Sequence, residues 1–171
     1  DMDFGFLYDP GRDLLSIGYN VDDRRRDASH YDLLASEVRL ASFVAIAKGD
    51  VPQQHWFRLG RLVTNIDGHA ALISWGGTMF EYLMPQLMMR SFPGTLLDQS
   101  CRAAVRRQIE YGRQRHVPWG ISESAYAFTD RDGTYQYRAF GVPGLGLRRG
   151  LVTDLVIAPY ATALASQVSP A

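Results

Sequence analysis

This sequence of 171 residues predicts a mainly α-helical domain with small β-hairpins, and three observations carry that reading. The stretch from His30 to Lys48 is apolar around most of a helical wheel. Asp98 opens a second stretch whose polar face carries Arg102, Arg106, Glu110 and Arg113. Two alternating aromatic runs flank turn-forming clusters.

Taken in order, Phe4, Phe6 and Tyr8 alternate, Asp9-Pro10-Gly11-Arg12 turns, and Leu15, Ile17 and Tyr19 alternate again, which predicts a hairpin. Asp22 to Asp27 is a charged, solvated loop. Ser29 is placed to cap a helix over 30–48 that Gly49 stops. Its apolar residues include Leu33, Leu34, Leu40, Val44 and Ala45 on one arc and Val38, Phe43 and Ile46 off it. Such a helix is buried between neighbours. Pro52 opens a short helix through Trp56 and Phe57. Residues 72–75 read as extended, Gly76-Gly77 lead into a helix from about Thr78, and Pro85 kinks or ends it. Asp98 caps the next helix, to about Arg113. Thr129 to Gly133 reads as a second hairpin turn between Phe128 and Tyr135. Gly141, Gly144, Gly146 and Gly150 predict a flexible loop, and an apolar stretch from Leu151 to Val168 is interrupted by Pro159. The final Ser169-Pro170-Ala171 has no tail-like composition, so the chain reads as a cut piece.

Eighteen basic residues balance eighteen acidic ones. This argues against a nucleic-acid partner, which needs a basic excess, and gives no reason to expect an anionic substrate. A neutral ligand such as a sugar suits the balance. Cys101 is the one cysteine, so no intrachain disulfide forms. No apolar run approaches the ~20 residues needed to cross a bilayer, and the acidic start, Asp1-Met2-Asp3, is not a signal peptide.

Three carboxylates stand out. On the expected helix, Glu37 has Leu33, Leu34, Leu40 and Ala41 at three and four residues' distance. Burial there would raise its pKa toward that of a general acid, and a structural ion pair with an arginine is the equal alternative. Glu123 lies in Trp119-Gly120-Ile121-Ser122-Glu123-Ser124-Ala125-Tyr126, where Trp119 and Tyr126 offer stacking faces for sugar rings and Ser122 and Glu123 offer hydrogen bonds. By itself this is also what an ordinary loop with an acid looks like. Glu81 follows Trp75-Gly76-Gly77, a platform beside glycines that permit close approach. Asp32, about 140° from Glu37 on the wheel, caps or orients instead.

Other chemistries fit poorly. Gly120 to Ser124 lacks the final glycine of a nucleophile elbow, and the glycines after Gly144 miss a dinucleotide fingerprint. His30, His55, His69 and His116 have no metal-ligand spacing, so neither metal nor cofactor is expected. Arg148-Arg149 reads as a solvated pair.

Several stretches together resemble a known family: Asp3 to Asp9, Ser16 to Asn20, Tyr31 to Glu37, Ser42-Phe43, His55 to Arg61, Ser74 to Pro85, Trp119 to Tyr126 and Asp154 to Ala165. In this order they resemble the glucoamylase-like middle domain of bacterial cyclic β-1,2-glucan synthases, with endo-β-1,2-glucanases as cousins. The resemblance implies a partial (α/α)6 toroid, roughly half of the full domain, with residues 1–171 as a single fragment and the C-terminal half absent. It implies a parent protein at the inner membrane, cytoplasmic side, with glycosyltransferase and phosphorylase-like regions. The middle domain cuts linear β-1,2-glucan and recloses it into rings by transglycosylation. Carried over, Glu37 resembles the acid/base and Glu123 the nucleophile of a retaining double displacement, with Glu81 a plausible third acid. Tyr19, Trp56, Trp75, Trp119 and Tyr126 become stacking residues, and Asp32, Glu81 and Ser122 polar contacts. The isolated piece is expected to be inactive and to associate with itself or with the missing half. A hydrolysing glucanase and a non-catalytic glucan-binding segment are the competing readings.

Overall fold

The computed structural model describes residues 2–148 and 154–168, which fall into two compact units. Arg149, Gly150, the start of the apolar stretch at Leu151 and the closing Ser169-Pro170-Ala171 lie outside the described residues.

The first unit comprises Asp1–Leu34 and Val38–Arg61. Strands β1 (Tyr8–Asp9), β2 (Leu14–Ser16) and β5 (His30–Tyr31) make an antiparallel sheet in the order β1-β2-β5, and β3 (Tyr19–Asn20) pairs with β4 (Arg25–Arg26). The expected turn after Asp9 joins β1 to β2, but the expected strands are shorter: Gly5–Leu7 is a 3-10 turn, and Tyr19 belongs to the separate β3–β4 pair. Helices α1 (Val38–Lys48) and α2 (Gln54–Arg58) complete the unit. Its buried residues include Leu15, Leu33, Leu34, Val38, Ala45, Val51 and Leu59. Among them Ser42 Oγ meets His55 Nε2 at 2.7 Å, while His55 Nδ1 donates to the Asp13 carbonyl at 2.8 Å. The carbonyl only accepts, so Nδ1 carries the proton and Nε2 accepts from the serine.

The second unit comprises Ala35–Glu37 and Leu62–Ala171. Strands β6 (Val63–Ile66) and β7 (His69–Leu72) form a hairpin, followed by α3 (Met79–Leu83), a 3-10 turn at Met84–Leu87 and the long α4 (Leu96–Arg115). A second hairpin joins β8 (Ser124–Thr129) to β9 (Tyr135–Arg138), and α5 runs over Pro159–Ala165. Helix α4 packs on β7, and Ser100 Oγ accepts from the Leu72 N–H at 2.8 Å. Thr95, three residues before Asp98, is the N-cap of α4: its side chain accepts from the Asp98 N–H, and the Asp98 carboxylate takes the Gly94 N–H instead. His116, in the left-handed region at φ 55°, closes the helix.

The expectation of a mainly α chain with small hairpins, which the (α/α)6 resemblance shares, is overturned as to its helical content. Of the described residues 34% are helical and 20% are in strands, spread over four small sheets, so the fold mixes α and β. The largest single difference is the helix expected over 30–48, which begins only at Val38. His30 and Tyr31 pair instead with Ser16 and Leu15, the Leu34 N–H donates to the Gly60 carbonyl, and the Gly60 N–H donates to Asp32. These long-range bonds satisfy the backbone groups that a first helical turn would have used, while Leu33 and Leu34 still reach the core. The β6–β7 hairpin is a second difference. Its Asp67-Gly68 turn has φ 49° and 83°, both positive as a tight primed turn requires.

Gly141 and Gly146 do not lie in a free loop either. A Cβ on Gly141 would stand 1.7 Å from the Gly76 carbonyl oxygen, and one on Gly146 would stand 2.6 Å from the Gly76 carbon. The two glycine-rich segments thus lie backbone on backbone, and the Val142 N–H donates to Gly77. The close approach that Gly76-Gly77 permits is made by this chain's own backbone.

Candidate active site

The segment 119–123 is pinned by three helices of the second unit. Gln108 on α4 donates through Nε2 to the Ile121 carbonyl and accepts the Ile121 N–H through Oε1, both at 2.7 Å and both buried. The Met79 N–H at the start of α3 donates to the same carbonyl at 3.2 Å. From α5, Thr162 Oγ1 donates to the Trp119 carbonyl at 3.0 Å, and the Ala158 N–H donates to Gly120 at 2.8 Å. A Cβ on Gly120 would meet Thr162 Oγ1 at 2.5 Å, and one on Gly112 would meet the Trp119 Cβ at 2.8 Å. Trp119 is therefore half-buried packing against α4 as well as a flank of Glu123.

The bonds run on to Glu123. Ser122 Oγ, fully buried, accepts the Phe80 N–H at 3.0 Å. Tyr160 Oη lies 2.8 Å from Ser122 Oγ and 2.7 Å from the Glu123 carbonyl oxygen. The single phenolic proton goes to the carbonyl, which only accepts, and the Ser122 hydroxyl donates back to the phenol. Tyr137 Oη, from β9, donates to Glu123 Oε2 at 2.8 Å. The Tyr137 ring is 63% exposed, yet its hydroxyl titrates well above the ordinary range. Its partial desolvation comes first among the causes, then the bond to Glu123, then the charges of Glu123, Tyr160 and Glu37. The Tyr160 phenol is also raised, mainly by burial.

Glu37 and Glu123 thus both act electrostatically on one phenol, although they are 86 residues apart in sequence. Glu37 is half-buried and sits in the turn immediately before α1, not on the face of a helix. The apolar helical neighbours expected on its N-terminal side do not surround it in that way.

Glu81 has a different setting. It is 4% exposed, and its carboxylate accepts the Gly76 N–H (2.8 Å to Oε1, 3.1 Å to Oε2), the Thr78 N–H (2.8 Å) and the Ser74 hydroxyl (3.0 Å). Thr78 returns a bond by accepting the Glu81 N–H, which completes a capping box on α3. Burial raises the Glu81 pKa, against the lowering effect of these bonds. The carboxylate closes its own loop. Trp75 beside it is 44% exposed.

Tyr126 is half-buried on β8, edge-on to Phe140 and stacked with Phe128 at 6.2 Å between centroids. Tyr19, Asp32 and Trp56 belong to the first unit. Tyr19 is exposed and packs edge-on against Phe6 at 5.5 Å. It lines an open depression of about 530 Å³ with Asn20, Arg25, Arg26 and Asp27. Asp32 and Trp56 are half-buried. Among the described residues no group of His, Cys, Asp and Glu is arranged to hold a metal ion, and no helix is long and apolar enough to cross a membrane.

Neither Tyr137 nor Tyr160 stands out as a site residue in the sequence. The signal for Tyr137 was the alternation Tyr135-Gln136-Tyr137-Arg138 after the Gly133 turn, which marks a strand returning alongside Glu123. For Tyr160 there was no local signal, because α5 reaches Ser122 only through the tertiary fold.

Comparison with known proteins adds two findings. The family described as "Putative glucoamylase" matches residues 29–171. Over 169 residues, 99% of this chain, the sequence is 54% identical to the cyclic beta-(1,2)-glucan synthase NdvB of Rhizobium meliloti (strain 1021), and it spans 6% of that protein's length.

Proposed function

This chain belongs to the glucoamylase-like family, and on that premise we propose that it is the part of a larger glucan synthase that closes linear β-1,2-glucan into rings. The reaction is a retaining transglycosylation. Glu123 attacks the anomeric carbon as its glycosidic bond breaks, and Glu37 gives a proton to the departing oxygen. Glu37, now a carboxylate, takes the proton from the 2-hydroxyl at the far end of the same chain. That oxygen displaces Glu123 from the anomeric carbon, and two inversions leave the β configuration unchanged. Trp75 and the aromatic residues around Glu123 hold the sugar rings. The rest of the synthase, at the inner membrane, makes the linear substrate.

One observation carries the reading: the Glu123 carboxylate, held on a pinned segment, and the charge of Glu37 converge on the Tyr137 hydroxyl. The identity to a cyclic glucan synthase over 99% of the chain supports the choice of substrate. Intact synthase supplied with linear β-1,2-glucan tests it, with products read by mass spectrometry. Rings, lighter than the linear chain by one water, are expected from the parent enzyme and from neither Glu37→Gln nor Glu123→Gln. Shorter linear chains alone would mean hydrolysis, and rings surviving in both variants would leave only a binding role.

A further inference from the structure

The Tyr137 hydroxyl meets the Glu123 carboxylate from a strand with no other bond to that side chain. In β9, Tyr137 stands opposite Ala125 of β8. The other face of the hairpin carries Tyr126 and Phe128, stacked on each other, with Tyr126 edge-on to buried Phe140 and the Arg138 guanidinium over its ring at 5.7 Å. Arg138 also pairs with Asp154 at 3.0 Å. One face of the hairpin is anchored, and the opposite face presents a phenol to Glu123.

We propose that Tyr137 is a positioning residue for Glu123, donating to Oε2 so that Oε1 is the oxygen left to attack the anomeric carbon. The inference rests on the nucleophile role given to Glu123 above. Oε1 has no hydrogen bond among the described residues, whereas Oε2 is held at 2.8 Å. When the glycosyl ester forms at Oε1, Oε2 becomes its carbonyl oxygen, and the phenol remains bonded to it. The same donor therefore orients the carboxylate before attack and stays with the acyl oxygen until the ester is displaced. The groups facing this pair are Tyr160 from α5 and Glu37 from the turn before α1, with Arg138 on β9 neutralised by Asp154. The raised pKa of the phenol keeps it a donor throughout the neutral range.

The test uses the intact synthase acting on linear β-1,2-glucan, with Tyr137→Phe and Glu123→Gln assayed side by side. Tyr137→Phe keeps the ring and removes one hydroxyl from an exposed position, so folding is preserved and checked by an unchanged Tm. Loss of one bond to a charged acceptor lowers kcat about tenfold to a hundredfold, with KM within about twofold. An unchanged kcat overturns the positioning role. A raised KM alone overturns it too, and makes the hydroxyl a sugar contact. If Glu123→Gln retains full activity, the nucleophile assignment itself fails, a result separate from any outcome at Tyr137.

Discussion

Replacing Glu81 by alanine separates a structural carboxylate from a reacting one. In the native loop the side chain takes three donors: the Gly76 and Thr78 N–H groups and the Ser74 hydroxyl. The hydroxyl has a second acceptor within reach, the Leu145 carbonyl at 3.3 Å. Glu81→Ala therefore strands two buried N–H groups, each costing about 1–3 kcal/mol, or about 2–6 kcal/mol together. That is a large part of the roughly 5–15 kcal/mol that holds a domain folded. Urea unfolding of the purified chain reads it as a lower midpoint with an unchanged slope. Glu81→Gln, which keeps one acceptor oxygen, falls between. Linkage supplies a second signature. Burial raises the folded-state pKa above the ordinary 4.5, so the native chain holds this proton where the unfolded chain has released it. The group's stabilising contribution is full below the unfolded value and is lost as pH rises through the folded one. The stability of the parent relative to Glu81→Gln therefore declines as pH climbs from 4.5. A Glu81→Ala protein within about 0.5 kcal/mol of the parent would refute the loop-closing role.

Two further substitutions test the support of the site. Gln108→Ala leaves the Ile121 N–H without its buried acceptor and opens a cavity. It costs about 2–4 kcal/mol in urea unfolding, and kcat of the intact synthase falls because Ile121 lies two residues before Glu123. Gly141→Ala drives a methyl into the Gly76 carbonyl oxygen, which belongs to backbone and cannot swing aside. Thermal unfolding should drop by about 10 °C, from a loss of about 4 kcal/mol.

The parts of the fold legible in sequence are those whose cause is local. The hairpin turns at Pro10-Gly11 and Asp132-Gly133, the helix around Trp56 and the long helix through Arg106 follow from neighbouring residues. Thr78-x-x-Glu81 and Asp67-Gly68 carried equally local signals, a capping box and a primed turn, which the reading passed over. The segment 30–37 failed for the opposite reason. Its leucines suit a buried helix or a buried strand alike, and the choice was made by Ser16 and Gly60, far away in the chain. At the site, the motif around Glu123 by itself reads as an ordinary loop with an acid, and the resemblance is what singles that residue out. Tyr137 and Tyr160 were not legible, because a bulged hairpin register and the docking of α5 decide what they touch. Glu37 was selected on a helical argument that the structure does not support, and the resemblance supplied the residue independently.

Azide rescue in the intact synthase tests the division of labour between the two glutamates most directly. The substrates are aryl glycosides of linear β-1,2-glucan, whose leaving group needs little acid help. With the nucleophile removed, azide takes its place and gives a product of inverted configuration. With the acid/base removed, azide intercepts the glycosyl-enzyme and gives a retained one. The account predicts the α-glycosyl azide from Glu123→Gly and the β-glycosyl azide from Glu37→Gly. The same anomer from both variants, or turnover without azide in Glu123→Gly, would contradict it.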